Sequence, residues 1–219
     1  MPTAHGSALI EIGETRVICS CAVEEVVPGW RRGSGSGWLT AEYGMLPAST
    51  GDRKARDITR GKLDGRSSEI QRLIGRSLRA IVDLGALGER TLWIDCDVLT
   101  ADGGTRCAGI CGGYVALELA VRRLMSEGLL DASPIRDAVA AVSVGIVSGE
   151  SRLDLAYLED SRADADMNVV VNGRGELIEV QATAEERSFG RAQFDELLDL
   201  ALAGTATLLE IQNAALASA

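Results

Sequence analysis

Histidine is almost absent from this chain, which has 219 residues and a single histidine, His5. This shortage argues against the Ser-His and Cys-His pairs that activate a nucleophile. The five cysteines include no Cys-x-x-Cys pair, so a zinc site is not expected, and they fit small buried apolar side chains. An enzyme built from this sequence must therefore work with carboxylates, arginines or a bound metal ion.

Long hydrophobic runs are also missing from the chain. A membrane span needs about 18 consecutive apolar residues, and the sequence has no such stretch. Residues 1–13 lack the basic region and the apolar core of a signal peptide. The glycine-rich residues 33–37 match neither a dinucleotide fingerprint nor a Walker phosphate loop. We therefore expect a cytoplasmic protein that has no membrane contact.

Hydrophobic residues make up 46% of the chain, and no linker or internal repeat divides it. We predict one domain over residues 1–219. In the first half of the chain, apolar spacing predicts a hairpin (7–12 and 15–23), a strand (38–46), a helix capped by Ser67 or Ser68 and a strand from residue 91. In the second half it predicts a helix (107–125), strands (139–147, 153–155, 167–171 and 176–183) and a C-terminal helix (194–217). The apolar stripe of the last helix includes Ile211. This order indicates an α+β fold with helices packed on a mixed sheet.

A possible anion site lies in residues 95–106, where a predicted strand ends in a Gly-Gly turn and an arginine opens a helix. A helix N-terminus presents unpaired backbone N–H groups and partial positive charge. Gly103 and Gly104 let the backbone approach a ligand closely. Arg106 adds a fixed fork of donors that suits a phosphate. The residues alone indicate an anion without identifying it.

Charge is distributed unevenly, although the net charge is −10. Residues 52–79 contain nine basic and four acidic residues, whereas residues 150–219 contain five basic and fourteen acidic ones. A basic segment of this kind is the expected footprint for a nucleic acid, and a solvated face or a subunit interface is the alternative. Arg66 precedes the predicted helix, and Arg72, Arg76 and Arg79 form a stripe along it, for which we favour a subunit interface.

Two aspartates stand at neighbouring predicted strand ends. Asp160 closes one segment and Asp166 opens the next strand, so that both can face one pocket. Such carboxylates suit Mg²⁺ or Mn²⁺, which bind through one or two acids and substrate phosphate. The alternative is an aspartate-rich turn with no function. Together with the arginines, this pair suggests phosphoryl transfer on a polyanion, which needs no histidine.

Eight segments of the chain form a set of motifs in a fixed order. They are residues 37–47, 65–76, 95–106, 143–146, 153–155, 159–160, 166–169 and 179–185. In sequence and order they resemble bacterial ribonuclease PH, over about residues 6–216. The resemblance implies a phosphate-dependent 3′→5′ exoribonuclease that trims tRNA precursors and releases nucleoside diphosphates. It also implies a fold like the second domain of ribosomal protein S5 and a ring hexamer built as a trimer of dimers.

The resemblance also assigns site residues. It places the family's phosphate-binding arginine on Arg66 and its Gly-Thr-Arg phosphate loop on Gly104, Thr105 and Arg106. Inorganic phosphate is then the co-substrate, and Arg106 is also a catalytic candidate. The family's metal-binding or acid–base aspartates fall on Asp160 and Asp166, in agreement with the interpretation from the residues alone.

The implied tRNA-binding loop keeps two of three arginines. These are Arg53 and Arg56, whereas Ala48 stands at the first position, which predicts weaker tRNA binding than in a relative with all three. Arg72 and Arg76 are further candidates for contact with the RNA backbone.

Two other interpretations stay open at this point. Members of the family begin with about 20 further residues, which include the family's first strand. Without that strand, its neighbour in the sheet would be an unpaired edge strand, which is a liability. The chain is therefore also compatible with an inactive ring-scaffold subunit or a truncated RNA-binding fragment. A metal-dependent hydrolase that uses water would keep Asp160 and Asp166 but would not need Arg66 or Arg106.

Overall fold

Two four-stranded sheets make up the framework of the chain. The computed structural model describes residues 1–56, 59, 61–62, 64–185 and 187–219. The first sheet has the order β1 (Gly6–Ile12), β2 (Thr15–Glu24), β4 (Thr91–Thr100), β3 (Trp38–Met45). Strands β1, β2 and β4 pair antiparallel, and β3 pairs parallel to β4. The hairpin around Gly13 and Glu14 is confirmed.

The second sheet is antiparallel throughout. Its order is β6 (Glu150–Leu153), β5 (Val139–Val147), β7 (Ala165–Asn172), β8 (Leu177–Ala184). All nine residues of β5 are buried. A mainly apolar run of this length, in which Ser143 is the polar exception, is typical of a central strand covered on both faces, and the predicted bounds of β5 are confirmed.

Helices fill the space between and beside the sheets. They are α1 (Gly65–Arg79), the one-turn helix α2 (Leu84–Leu87), α3 (Thr105–Ser126), the one-turn helix α4 (Tyr157–Asp160) and α5 (Arg191–Ala217), with a 3₁₀ turn at Gly29–Arg31. Helix α3 packs against β1 and β2 on one side and against β5 and α5 on the other. One apolar cluster consequently includes residues of both sheets, such as Leu92 and Ala140.

The predicted start of α1 is wrong. The helix begins at Gly65 with Asp64 at the N-cap, and Ser67 is buried inside the first turn. The Asp64 carboxylate lies 3.6 Å from Lys54 Nζ and caps no backbone N–H. Arg66 therefore lies within the helix instead of before it.

The predicted strand over residues 153–155 ends earlier than expected. Asp154 adopts a φ of 56° just after β6, which ends at Leu153. The carbonyl of Ser143 accepts from the N–H of Asp154 at 2.7 Å, and the Ser143 hydroxyl accepts from that of Leu155 at 3.2 Å. These bonds turn the chain out of the sheet and into α4.

Helix α5 is confirmed, but its apolar stripe is not as predicted. Ile211 is 59% exposed, and its neighbour Gln212 is buried and donates to the carbonyls of Cys111 (3.0 Å) and Val139 (3.1 Å). Among the described residues, α5 is also the one helix whose length and composition, with a mean hydropathy of 1.2, would suit a membrane. Its buried residues, which include Leu197 and Ala201, pack within the fold.

The basic segment is described only in part. Four residues between 57 and 63, among them Arg60, lie outside the described residues. Arg53 and Arg56 are described, and both are exposed.

Candidate active site

The residues predicted to bind an anion lie at the junction of β4 and α3. Gly103 (φ 84°) and Gly104 (φ 57°) adopt left-handed conformations that reverse the chain between strand and helix. Gly104, at the N-cap of α3, has no side chain that could cap the helix. Among the described residues, the first helix N–H bonded to this turn is that of Ala108, which donates to Gly104 O at 2.9 Å. The N–H groups before it, including those of Thr105 and Arg106, are therefore available to an anion.

The turn is held on two sides. The hydroxyl of Thr15, at the start of β2, donates to Gly103 O (2.7 Å) and accepts from the N–H of Asp102 (2.8 Å). The Asp102 carboxylate accepts from the N–H of Tyr157, the first residue of α4, at 3.1 Å. A Cβ on Gly103 would lie within 2.1 Å of Leu155 O. The turn and α4 thus form one tightly packed junction.

Two arginines reach the same cavity from different helices. Arg66, in the first turn of α1, and Arg106, in the first turn of α3, both line a cavity of about 540 Å³ together with Gly104 and Thr105. Arg106 Nη1 lies 3.3 Å from a carboxylate oxygen of Glu69 and donates to the side-chain oxygen of Gln181 at 3.2 Å. The predicted convergence of two arginine-bearing helix starts is what the structure shows.

Two aspartates face these arginines across the cavity. Asp160 ends α4 and Asp166 lies near the start of β7, and both line the same cavity. Burial raises the pKa of Asp166 above its usual range, and the negative charges of Asp160 and Glu185 raise it further. The charges of Asp160 and Glu185 therefore disfavour ionisation of Asp166.

Asp160 and Asp166 are the carboxylates in this cavity that suit a cation. Among the described residues, no group of three or more His, Cys, Asp or Glu side chains is arranged to hold a metal ion. Mg²⁺ typically binds through one or two carboxylates and completes its shell with waters and substrate phosphates. Asp160 and Asp166 therefore fit a Mg²⁺ or Mn²⁺ ion that is shared with a phosphate-bearing substrate.

The cavity has polar lining residues that the sequence interpretation did not assign. They are Ser143, Ser161, Arg162, Asn168, Gln181, Thr183 and Glu185. The signal for several of them was present, because polar residues alternate along β7 and β8. Asp166 pairs with Thr183 and Asn168 pairs with Gln181, so that one face of this strand pair forms a wall of the cavity.

A second cavity, of about 510 Å³, adjoins the first. It shares Arg66, Gly104, Thr105 and Asp160 with it, and the exposed ring of Tyr157 lies at its edge. The site is therefore an open cleft, wide enough for a chain substrate to extend beyond the reacting phosphate.

The proposed RNA-contacting arginines differ in their surroundings. Arg72 is exposed beside a shallow pocket on α1. Arg76, one turn later, binds the Glu179 carboxylate of β8 through two hydrogen bonds of 2.6 and 2.5 Å. Arg79 donates to Leu39 O and lies over the ring of Trp38. The predicted stripe is thus engaged within the chain at two of its three positions.

Comparison with known proteins identifies the family of the chain. Residues 1–122 match the family model of domain 1 of the 3′ exoribonuclease family, and residues 137–204 match that of domain 2. The chain is 58% identical over 208 residues to ribonuclease PH of Syntrophomonas wolfei, covering 95% of this chain and 87% of that protein. It is 56% identical over 213 residues to ribonuclease PH of Bacillus cereus, covering 97% and 87%.

Solved structures show the same fold at low sequence identity. An Archaeoglobus fulgidus exosome with RNA bound to the active site superposes with a TM-score of 0.77 at 21% identity, covering 96% of this chain and 84% of that one. An archaeal exosome core superposes with a TM-score of 0.75 at 20% identity, covering 97% and 83%. The predicted α+β fold of ribonuclease PH type is confirmed, and the chain belongs to the ribonuclease PH family of 3′ exoribonucleases.

Proposed function

We propose that this chain is a phosphate-dependent 3′→5′ exoribonuclease that trims the 3′ ends of tRNA precursors and releases nucleoside diphosphates. The observation that carries the proposal is the convergence of Arg66, Arg106, Asp160 and Asp166 on one cavity. Relatives that share more than half of this sequence bear the name ribonuclease PH. A purely structural ring subunit would have no need of this constellation.

In the proposed reaction, an oxygen of inorganic phosphate attacks the terminal phosphodiester phosphorus. The bond from that phosphorus to the 3′-oxygen of the preceding nucleotide breaks, and the last nucleotide leaves with a 5′-diphosphate. The freed 3′-oxygen takes up the proton that hydrogen phosphate brings and becomes the new 3′-hydroxyl. The reverse reaction adds a nucleotide from a nucleoside diphosphate. Nothing is oxidised or reduced, so that catalysis consists of orientation and charge stabilisation.

Phosphate binding falls to the arginines and the turn between β4 and α3. Arg66, Arg106, Thr105 and the neighbouring backbone N–H groups would hold the attacking phosphate. Arg106 is at present engaged by Glu69 and Gln181, and phosphate would replace the weak contact with Glu69 at 3.3 Å. Charge-assisted bonds to a phosphate are shorter and stronger than this contact.

The carboxylates would act on the other side of the reacting phosphorus. Asp160 and Asp166 would hold Mg²⁺ or Mn²⁺, which supplies positive charge that shields the phosphodiester and stabilises the leaving oxygen. Without a cation, these carboxylates would repel the RNA backbone. Arg162, which also lines the cavity, would offset part of that repulsion.

The RNA would approach across the basic segment. Exposed Arg53 and Arg56, with Arg72 on α1, would contact successive phosphates, which position RNA without reading its sequence. Arg76 could join them only by releasing Glu179. We also propose a cytoplasmic homohexamer, a trimer of dimers, as membership of the ribonuclease PH family implies. Structural similarity to exosome proteins supports an oligomer.

One assay tests the activity directly. The protein is incubated with Mg²⁺ and a tRNA carrying a 3′ extension, with and without inorganic phosphate, and the products are identified. Nucleoside diphosphates that form only with phosphate are expected. Monophosphates without phosphate would indicate a hydrolase, and no product in either reaction would favour a scaffold.

A matched pair of variants tests the site. Arg106→Ala should abolish turnover, whereas Arg123→Ala on the same helix, which removes an ion pair with Glu127, should leave turnover near the level of the unaltered protein. Normal turnover in Arg106→Ala would refute the assignment of the phosphate site.

A further inference from the structure

A buried pair of hydroxyl groups lies directly beneath the phosphate turn. Tyr43, near the end of β3, places its hydroxyl 2.8 Å from the hydroxyl of Thr105, the first residue of α3. Tyr43 is 3% exposed and Thr105 is 5% exposed, yet Thr105 lines both cavities of the site. The proposed reaction gives Thr105 a role but leaves Tyr43 without one.

The direction of this hydrogen bond follows from counting protons. Each hydroxyl carries one proton, and only one of the two protons can lie between the oxygens. If Thr105 were the donor, the Tyr43 proton would need another acceptor, and the described residues provide none within hydrogen-bonding distance. A buried donor left without an acceptor costs free energy. The arrangement that leaves both protons with a partner has Tyr43 donating and Thr105 accepting, since the Thr105 proton can then point into the cleft.

The charges around Tyr43 agree with this direction. Its charged neighbours Arg66 and Arg106 carry only donor groups and cannot accept a proton from the phenol. Burial raises the pKa of Tyr43 above its ordinary value, against smaller opposing effects of Thr105 and the two arginines. The phenol consequently stays protonated and remains a donor throughout the neutral range.

We propose that Tyr43 is a positioning residue for inorganic phosphate: by donating to Thr105, it leaves the Thr105 proton free to be donated to a phosphate oxygen in the cleft. The inference rests on the proposed phosphorolytic function and assigns it a further residue. Tyr43 itself touches neither phosphate nor RNA. It fixes which way one of the phosphate donors points before the substrate arrives.

Removal of the phenolic hydroxyl tests the proposal. In Tyr43→Phe, the Thr105 hydroxyl loses its donor and can rotate, so one phosphate contact weakens. The KM for phosphate should rise by about five- to tenfold, which is the value of one modest hydrogen bond. Because the contact is present in both ground and transition states, kcat and the KM for RNA should change by less than about twofold.

The chain offers a matched control for this substitution. Tyr114, on α3, is also buried, but its hydroxyl lies 3.5 Å from Glu118, a residue that lines neither cavity of the site. Tyr114→Phe should leave the KM for phosphate unchanged. An unchanged KM for phosphate in Tyr43→Phe would refute the inference, as would an equal loss in every kinetic constant accompanied by a lower melting temperature.

A double-mutant cycle separates positioning through Thr105 from a direct effect of Tyr43. Thr105→Val keeps the side-chain shape but removes the hydroxyl, and it should raise the KM for phosphate at least as much as Tyr43→Phe does. Adding Tyr43→Phe to Thr105→Val should have no further effect, because no hydroxyl is left to orient. Additive increases would refute the inference. If the unaltered protein released no diphosphates, the proposed function itself would fail instead.

Discussion

At the residue scale, adjacent carboxylates in α4 have different surroundings and therefore different uses. Glu159 binds Arg152 of β6 at 2.6 Å and accepts from the N–H of Ala156 at 3.1 Å, and these bonds lower its pKa. Asp160, the next residue, is exposed and lines both cavities. Glu159 stabilises the helical turn, which leaves Asp160 available to a cation.

Asp166 is expected to be essential for turnover and unfavourable for stability. Its raised pKa means that the ionised form is disfavoured in the folded chain, so its charge lowers stability as the pH rises through that pKa. Asp166→Asn should reduce phosphorolysis by at least about 100-fold, comparable to the loss of a main electrostatic group. Its melting temperature in chelator at neutral pH should equal or exceed that of the unaltered protein.

The control for Asp166→Asn lies two residues earlier. Asp164→Asn removes a charge from the same segment at a position that does not line the cavity, and it should retain activity. Mg²⁺ should raise the melting temperature of the unaltered protein and of Asp164→Asn, because a ligand of the folded state stabilises it. A similar rise in Asp166→Asn would count against Asp166 as a metal ligand.

At the element scale, the junction between α4 and the phosphate turn sets the distance between aspartates and arginines. The Asp102 carboxylate holds the first N–H of α4, and Gly103 lies against Leu155 O with no room for a side chain. Neither element could move without displacing the other. The two halves of the site are therefore placed by backbone packing, before any ligand binds.

Gly103→Ala should separate these elements. A Cβ there would meet Leu155 O at 2.1 Å, and the φ of 84° is unfavourable for alanine. We expect loss of activity and a decrease in the free energy of unfolding of about 3 kcal/mol or more, from chain strain and overpacking together.

Gly149→Ala is the matched control, since Gly149 has a φ of 80° but open space around it. This substitution should lower the free energy of unfolding by only about 1 kcal/mol and should leave activity unchanged. If Gly103→Ala and Gly149→Ala lowered the free energy of unfolding and the turnover to the same extent, this explanation would be wrong.

At the scale of the whole molecule, charge separation guides the substrate. The chain is acidic overall, with a net charge of −10, while the segment before and within α1 is basic. RNA is expected to be attracted to this segment and repelled elsewhere, so that the 3′ end enters the cleft in one orientation.

Ala48→Arg should strengthen tRNA binding. Ala48 is exposed and precedes the segment that carries Arg53 and Arg56. One added phosphate contact should tighten the Kd at fixed salt and steepen the salt dependence of log K by about one unit of slope. Ala214→Arg, on the exposed side of α5, makes the same change in net charge. It should change neither the Kd for tRNA nor the slope of its salt dependence. Equal affinities of Ala48→Arg and the unaltered protein would contradict the prediction.

The two sheets are expected to unfold together. Helix α3 contributes side chains to an apolar cluster that contains residues of both, and Gln212 joins α5 to α3 and β5. All three tryptophans, Trp30, Trp38 and Trp93, lie in or beside the first sheet. Denaturation followed by tryptophan fluorescence should therefore coincide with denaturation followed by far-ultraviolet circular dichroism. Two separate transitions would show that residues 1–219 are not one folding unit.

Much of the fold could be predicted from local patterns. The buried run of β5, the hairpin of β1 and β2 and the amphipathic face of α1 each follow from apolar spacing within a few residues. Positions that depend on a distant partner could not be predicted. Asp64 occupies the N-cap position but pairs with Lys54 instead of capping the helix. Asp154 donates its N–H to Ser143 O outside the strand, and Gln212 is buried beside the exposed Ile211.

The sequence by itself determined which residues can do the chemistry, because a chain with one histidine and a Gly-Gly-Thr-Arg turn leaves arginines and aspartates as the available groups. It also determined that a turn and a helix start follow β4. Only the tertiary structure decided that Arg66, Arg106, Asp160 and Asp166 share one cavity, and that Tyr43 lies under Thr105. These residues are far apart along the chain, and contacts of that kind depend on how sheets and helices pack, which local sequence patterns do not encode.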